Sequence, residues 1–319
     1  MSVTTAAPQG APEQVSGKPP RSRGDRLFAG TAKAAGLVIL AALAGVFVFL
    51  TIEGVPGLGL PAGTYAPNDS FLSYVGPLIY GTILAAVLAL ILAVPFAFGI
   101  ALFISHYAPR RLAVPVAYVI DLLAAVPSVV FGLWGARSLA TWLVPVHEWL
   151  YDHLSFIPFF AGPPSVTGRT IFTAGIVLAI MILPIITAIS REVFAQTPRL
   201  DQEAALALGA TRWEMVRLSV FPYARSGMVS AVMLGLGRAL GETMAVAMVL
   251  SASPIVTLNL ISNTNPATVA SNIASSFAEA TPDKLHVLIA TGLVLFAFTF
   301  AVNFAARWVV GRNERRMAR

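Results

Sequence analysis

Two opposite charges, Arg238 and Glu242, lie inside an otherwise apolar stretch, in the run GLGRALGETMAV over residues 235–246. Four residues apart, they share one face of a helix. Ionisable side chains at membrane depth are costly and face a bundle interior or an aqueous pathway. The pair therefore either lines such a pathway or locks two helices together as a buried ion pair. Gly235, Gly237 and Gly241 beside it allow close helix approach or leave room for something to pass. Asp121, in a second apolar stretch over residues 112–136, either acts similarly or pairs with a basic residue. Other chemistry is limited. Cysteine is absent, which excludes thiolate catalysis, disulfides and Cys-ligated metals. His106, His147, His153 and His286 fall in loops or at span ends. The spacing of His147 and His153 around Asp152 fits no common metal motif, so no metal or cofactor is expected. Gly17-Lys18 is followed by Pro19, and nowhere does the chain carry the glycine-rich loop that cradles nucleotide phosphates.

The elements that must position these residues are membrane helices. Apolar residues make up 57% of the 319 positions and charged residues 11%, against roughly 25% charged in soluble domains. Mean hydropathy is +0.78. Residues 34–52, 71–105, 170–190 and 287–306 contain no Asp, Glu, Lys or Arg. Each reaches the ~20 residues that a bilayer core requires of a helix. With 112–136 and 226–250 they predict an all-α membrane protein of six transmembrane helices. The runs are continuously apolar, without the alternation of a barrel strand.

With the N-terminus cytoplasmic and the spans alternating, 17 of the 21 Lys and Arg fall on the cytoplasmic side. Only Arg169 and Lys284 fall in outer loops, while Arg137 and Arg238 lie at or inside the membrane. This positive-inside bias places both termini in the cytoplasm. The formal charge of +6 is thus a membrane address, and no nucleic-acid partner is expected. The expected division is a disordered cytoplasmic tail over 1–30 and a first transmembrane helix with its outer loop over 31–70. A five-helix core follows over 71–310, then a cytoplasmic tail over 311–319. Outer loop 141–169 is rich in Trp, Tyr and Phe, as in an interfacial belt. No structure is assigned to 251–284.

The segment 191–225 between spans four and five carries the most local information. Thr197 followed by Pro198 predicts an N-cap with proline at the first helical position. Leu200, Ala204, Ala205 and Leu208 then form one apolar face, and Gly209 ends the helix in a left-handed conformation. Thr211 and Glu214 form a capping box for a second short helix ahead of Pro222. Two short helices around a tight turn make a rigid projecting element suited to a partner.

Glu203-Ala204-Ala205, then Gly209 and Pro222, resembles the EAA loop of ABC importer permeases. The resemblance implies a type I importer permease fold with this turn docked on a cytoplasmic ATPase through Glu203, Ala204, Ala205, Gly209, Thr211 and Glu214. The family usually has an aliphatic pair before the proline, where this chain has Ser219 and Phe221. The run 235–246, together with DLLAAVPSVVFGLWG over 121–135, is similar to the permeases of phosphate importers, and more to the PstC-type subunit than to the PstA-type. The likeness covers about 30–310. It implies a homologous PstA-type permease, a PstB-type ATPase dimer, an extracytoplasmic PstS-type phosphate-binding protein, and a pathway for inorganic phosphate through Arg238, Glu242 and Asp121. Guanidinium matches phosphate oxygens bidentately. Phosphate near neutral pH still carries a proton to offer Glu242, and sulfate does not, so the carboxylate discriminates between them. The alternatives are a permease of this family for another oxyanion or small solute, and a secondary transporter working without an ATPase.

Overall fold

The computed structural model describes residues 23–317. Of the expected N-terminal tail, residues 1–22 lie outside the described part, and residues 23–30 are helical rather than irregular. The chain forms two compact units, residues 1–48 and 49–319. What is described of the first is the leading part of helix α1 (Arg23–Gly54), with every side chain over 24–48 exposed, including Leu37, Val38, Ile39 and Leu40. An apolar helix with nothing buried is stable where the surrounding medium is itself apolar.

The regular structure of the second unit is all helical among the described residues. After α1 come α2 (Phe71–Leu102), α3 (Arg110–Ala125), α4 (Ser128–Trp134), α5 (Ala140–Leu154) and α6 (Ile171–Ala195). The chain continues through α7 (Arg199–Ala207), α8 (Arg212–Met215), α9 (Phe221–Leu240), α10 (Met244–Val249), α11 (Val269–Ser276) and α12 (Pro282–Met317). The proposed C-terminal tail is therefore largely a continuation of α12, which runs on past residue 310.

Helices α2 and α6 form the centre and run parallel, Leu88 lying beside Gly175 and the Ala97 carbonyl near the Thr187 hydroxyl. The contact face of α2 is a stripe of alanines, Ala85, Ala89, Ala93, Ala97 and Ala101, each 0–1% exposed. Small side chains at every fourth position let the backbones approach closely, which is how helices gain contact where lipid removes the hydrophobic drive. Helix α9 returns antiparallel to α6, with Gly227 against Val193 and Gly235 against Ile186. A Cβ on Gly235 would sit 2.8 Å from the Ile186 side chain, so this glycine serves close packing.

Five described segments are long and apolar enough to cross a membrane: Gly24–Leu58, Phe71–Tyr107, Ser128–Leu154, Ile171–Ala195 and Pro282–Trp308. Two expectations need correction. The third span does not occupy 112–136. Val126 stands before Pro127 and takes extended backbone (φ −68°, ψ 129°), which ends α3 and starts a new helix at Ser128. From there α4, a π-turn over Gly135–Leu139 and α5 follow without interruption. Much of the expected outer loop 141–169 is therefore helix, and His147 is fully buried in α5, edge-on to Phe172, not in a loop. The expected fifth span, 226–250, is not one helix either, because α9 stops at Leu240 and α10 starts at Met244.

The segment 250–268, unassigned from sequence, folds back into the protein. Leu260, Ile261 and Asn265 are 0–5% exposed. The Phe172 N–H donates to the Leu260 carbonyl (3.1 Å) and the Ile171 N–H to Asn265 Oδ1 (3.4 Å), satisfying donors that the start of α6 leaves free.

Candidate functional site

Where α9 breaks, its last turn and the bend after it face a cavity of about 850 Å³ shared with α12. Ser230, Gly237, Arg238, Gly241 and Glu242 line it from one side, and Asn303 and Arg307 from the other. A Cβ on Gly237 would meet nothing within 4 Å. Of the three glycines, Gly235 thus packs against α6, while Gly237 and Gly241 keep the cavity open.

Arg238 and Glu242 both line this cavity, but not as a helical i,i+4 pair. Gly241 (φ −94°, ψ 1°) leaves helical geometry just before Glu242, so the face the sequence spacing assumes is not continued. No ion pair joins Arg238 to Glu242 among the described residues. Glu242, 8% exposed, turns instead to the start of α10, where Oε1 accepts from the Ala245 N–H at 3.2 Å. This bond fixes the carboxylate as a cap would. Its Oε2 makes no hydrogen bond among the described residues. The cavity thus presents a guanidinium with no counter-ion and a positioned carboxylate with a free oxygen.

Asp121 is not part of this arrangement. It lies on α3, half-exposed, with Oδ2 3.7 Å from Arg191 Nη2 on α6. Of the two roles open to it from sequence, this geometry is that of pairing with a basic residue.

The turn between α7 and α8 follows its sequence signals closely at its centre. Gly209 has φ +85°, the Gly209 N–H donates to the Leu206 carbonyl (3.0 Å) and the Ala210 N–H to the Ala205 carbonyl (3.2 Å). These are the two bonds of a Schellman motif. Glu214 Oε2 accepts from the Thr211 N–H at 2.8 Å and Thr211 Oγ1 accepts from the Glu214 N–H at 3.3 Å, a complete capping box. The Thr211 backbone N–H, then its hydroxyl, hold the Glu214 carboxyl below the usual carboxylate range.

Three details differ from expectation. Pro198 has extended backbone and is itself the residue before the first helical one, so Thr197 does not cap α7, and its hydroxyl is buried without a partner. Pro222 does not end the second helix. A π-turn over Val216–Val220, closed by the Phe221 N–H on the Val216 carbonyl, accommodates the missing donor, and α8 runs on into α9. The apolar residues of α7 do not turn inward. Leu200 is 78% and Leu208 90% exposed, Glu203 and Ala204 are exposed beside them, and Trp213 is exposed on α8; Ala205 alone packs inward, against the cluster of Phe194, Val216 and Val220.

Sequence reasoning missed the α2 alanine stripe, though its four-residue repeat was readable, and missed Asn303 and Arg307, which share that spacing on α12.

Comparison with known proteins places this architecture. Residues 93–319 match the family described as binding-protein-dependent transport system inner membrane component. The chain is 49% identical over 304 residues to the phosphate transport system permease protein PstC 2 of Mycobacterium tuberculosis, covering 92% of this chain and 93% of that one. It is 45% identical to the PstC of Mycobacterium leprae, covering 91% and 94%. In fold it is similar to a solved bacterial ABC transporter involved in the import of the acidic polysaccharide alginate (TM-score 0.51, 16% identity, 89% of this chain and 99% of that one). With most of its length inside the matched region, this chain belongs to the binding-protein-dependent transport system inner membrane component family.

Proposed function

We propose that this chain is the PstC-type permease subunit of an ATP-driven phosphate importer and forms the translocation pathway with a homologous PstA-type permease. The observation that carries the reading is the cavity in which Arg238 stands without a counter-ion beside Glu242, in a chain with near-full-length likeness to PstC proteins. Arg238 offsets the desolvation of the anion, which is otherwise prohibitive. Glu242, held by the Ala245 N–H, offers Oε2 to the proton that phosphate retains and sulfate lacks. Energy comes from outside the chain. ATP is hydrolysed by a PstB-type dimer, and the subunit itself is non-catalytic.

The exposed Leu200, Leu208 and Trp213 around the α7–α8 turn form the docking face for that ATPase, with Glu203, Ala204, Ala205, Gly209, Thr211 and Glu214 shaping it. Exposed apolar groups of this kind mark protein contacts. The positive-inside bias supports a cytoplasmic position for this end and for both termini. A PstS-type protein delivers phosphate at the opposite face. Asp121 supports the pathway indirectly by tying α3 to α6.

The test is uptake of labelled inorganic phosphate into vesicles holding this chain with the partner permease, ATPase and binding protein. Uptake should require every component and ATP, and excess sulfate should leave it unchanged. Uptake by the chain alone, or equal competition by sulfate, would refute the proposal.

A further inference from the structure

The cavity has a second wall. Asn303, Ala306, Arg307 and Gly311 fall on one stripe of α12, and Ser230, Gly237 and Arg238 on one stripe of α9, with Gly241 just beyond its end. The two helices run in opposite directions. Helix α12 starts beside the beginning of α2, where Lys284 lies over the Tyr74 ring, while α9 starts beside the end of α6, where Gly227 meets Val193. Because α2 and α6 are parallel, the two guanidiniums sit at different depths. Arg238 stands near the far end of α9, two helical turns (~12 Å) beyond Ser230. Arg307 is the first charge after the uncharged run 287–306 and lies toward the end that carries α7 and α8.

Arg307, like Arg238, has no ion-pair partner among the described residues, and Arg312, the next arginine on α12, lies over the Trp308 ring at 5.4 Å. The cavity therefore holds two guanidiniums and one carboxylate, a net positive lining arranged along its length.

We infer that Arg307, with Asn303 one turn away, is a second anion station that receives phosphate from Arg238 and passes it to the cytoplasm. The inference rests on the reading that phosphate crosses this cavity. Its physical basis is that passage needs sites strong enough to admit an ion and divided enough to release it. One cluster of two arginines would trap a phosphate bidentately. Two separate ones hand it on, and Asn303 supplies a neutral amide to oxygens leaving Arg238.

Phosphate uptake per assembled complex, together with ATP hydrolysis stimulated by the loaded binding protein, tests it in the four-component vesicles. Arg307→Gln should lower uptake about tenfold, the effect of removing a charged hydrogen-bond donor, with ATP hydrolysis and subunit abundance kept. Arg307→Lys should restore most of the uptake. If Arg307→Gln transports normally per complex while Arg238→Gln does not, the second station is wrong and the pathway reading stands. If both transport normally, the pathway reading falls with it. Loss of ATP hydrolysis in step with uptake, or loss of uptake only in proportion to abundance, would overturn the inference by making Arg307 a coupling or anchoring residue.

Discussion

At the end of the second unit where α6 begins, Asn265 is fully buried and its side chain is used on both sides. Oδ1 accepts from the Ile171 N–H, and Nδ2 donates to the Asn259 carbonyl at 2.6 Å. Its own carbonyl accepts from the Ser253 N–H, and the Leu260 carbonyl takes the next N–H of α6. Away from that knot, Arg238 and Arg307 face the cavity without ion pairs among the described residues, and Leu200 on α7 and Leu208 just after it stand exposed. Buried polar groups paired within the chain define one conformation. Under the proposed function, the charges and apolar groups left unmatched are matched by an anion in one case and a partner protein in the other. The difference separates residues that hold the fold from residues that carry function, and substitutions in the two regions should read out differently.

The largest effect is expected at Gly209. A Cβ there would meet nothing within 4 Å, so the penalty of Gly209→Val lies in the backbone, whose φ of +85° opposes a β-branched residue by about 1–3 kcal/mol. The strain should be relieved locally by deforming the turn, so phosphate uptake should be lost while membrane abundance stays near the parent value and the thermal unfolding midpoint falls by only a few degrees. A variant that imports at the parent rate would remove the docking role of the turn.

Asn265→Leu should do the reverse. It leaves the Ile171 N–H and the Asn259 carbonyl unpaired in a buried site, about 1–3 kcal/mol for each group. The expected result is a lower thermal midpoint in detergent, with the uptake of the surviving protein reduced far less. An unchanged midpoint would show that this knot is not what holds segment 250–268 to α6.

The smallest effect concerns Glu214. Its carboxyl sits below the usual carboxylate range because the Thr211 backbone N–H and hydroxyl favour the ionised form. Its contribution to the turn is fully present above the unfolded value of about 4.3 and is lost as pH falls through the lower folded value. Hydrogen exchange at the Thr211 amide should therefore lose protection only in acid, beyond the intrinsic pH trend. Glu214→Gln should reduce that protection slightly at neutral pH and remove its acid dependence. Parent and variant with the same acid profile would contradict this.

Much of this was legible in the sequence where a local rule decides. The left-handed Gly209 and the Thr211–Glu214 box depend on a few adjacent residues, and both formed as read. The class of fold followed from runs of uncharged residues. What failed needed tertiary information or a finer local rule. The third span was placed by hydropathy alone, although Val126-Pro127 carried the signal for a break. The pairing of Arg238 with Glu242 assumed an unbroken helix, and the glycine at 241 lets the chain bend instead. Asn265 gives no sequence signal, because its partners lie six and 94 residues away.

The most direct measurement is phosphate uptake by the charge-swapped double variant, Arg238→Glu with Glu242→Arg, set beside its membrane abundance. The two side chains are not an ion pair but line one cavity from different positions, and the proposal makes them parts of one anion site. The swap moves the positive charge to the position capping α10 and puts a carboxylate where the anion needs a guanidinium. Uptake should be abolished while the protein remains in the membrane. Recovery of full phosphate import in the swapped protein, when either single change prevents it, would mean that the two charges only lock helices together, and would contradict the account.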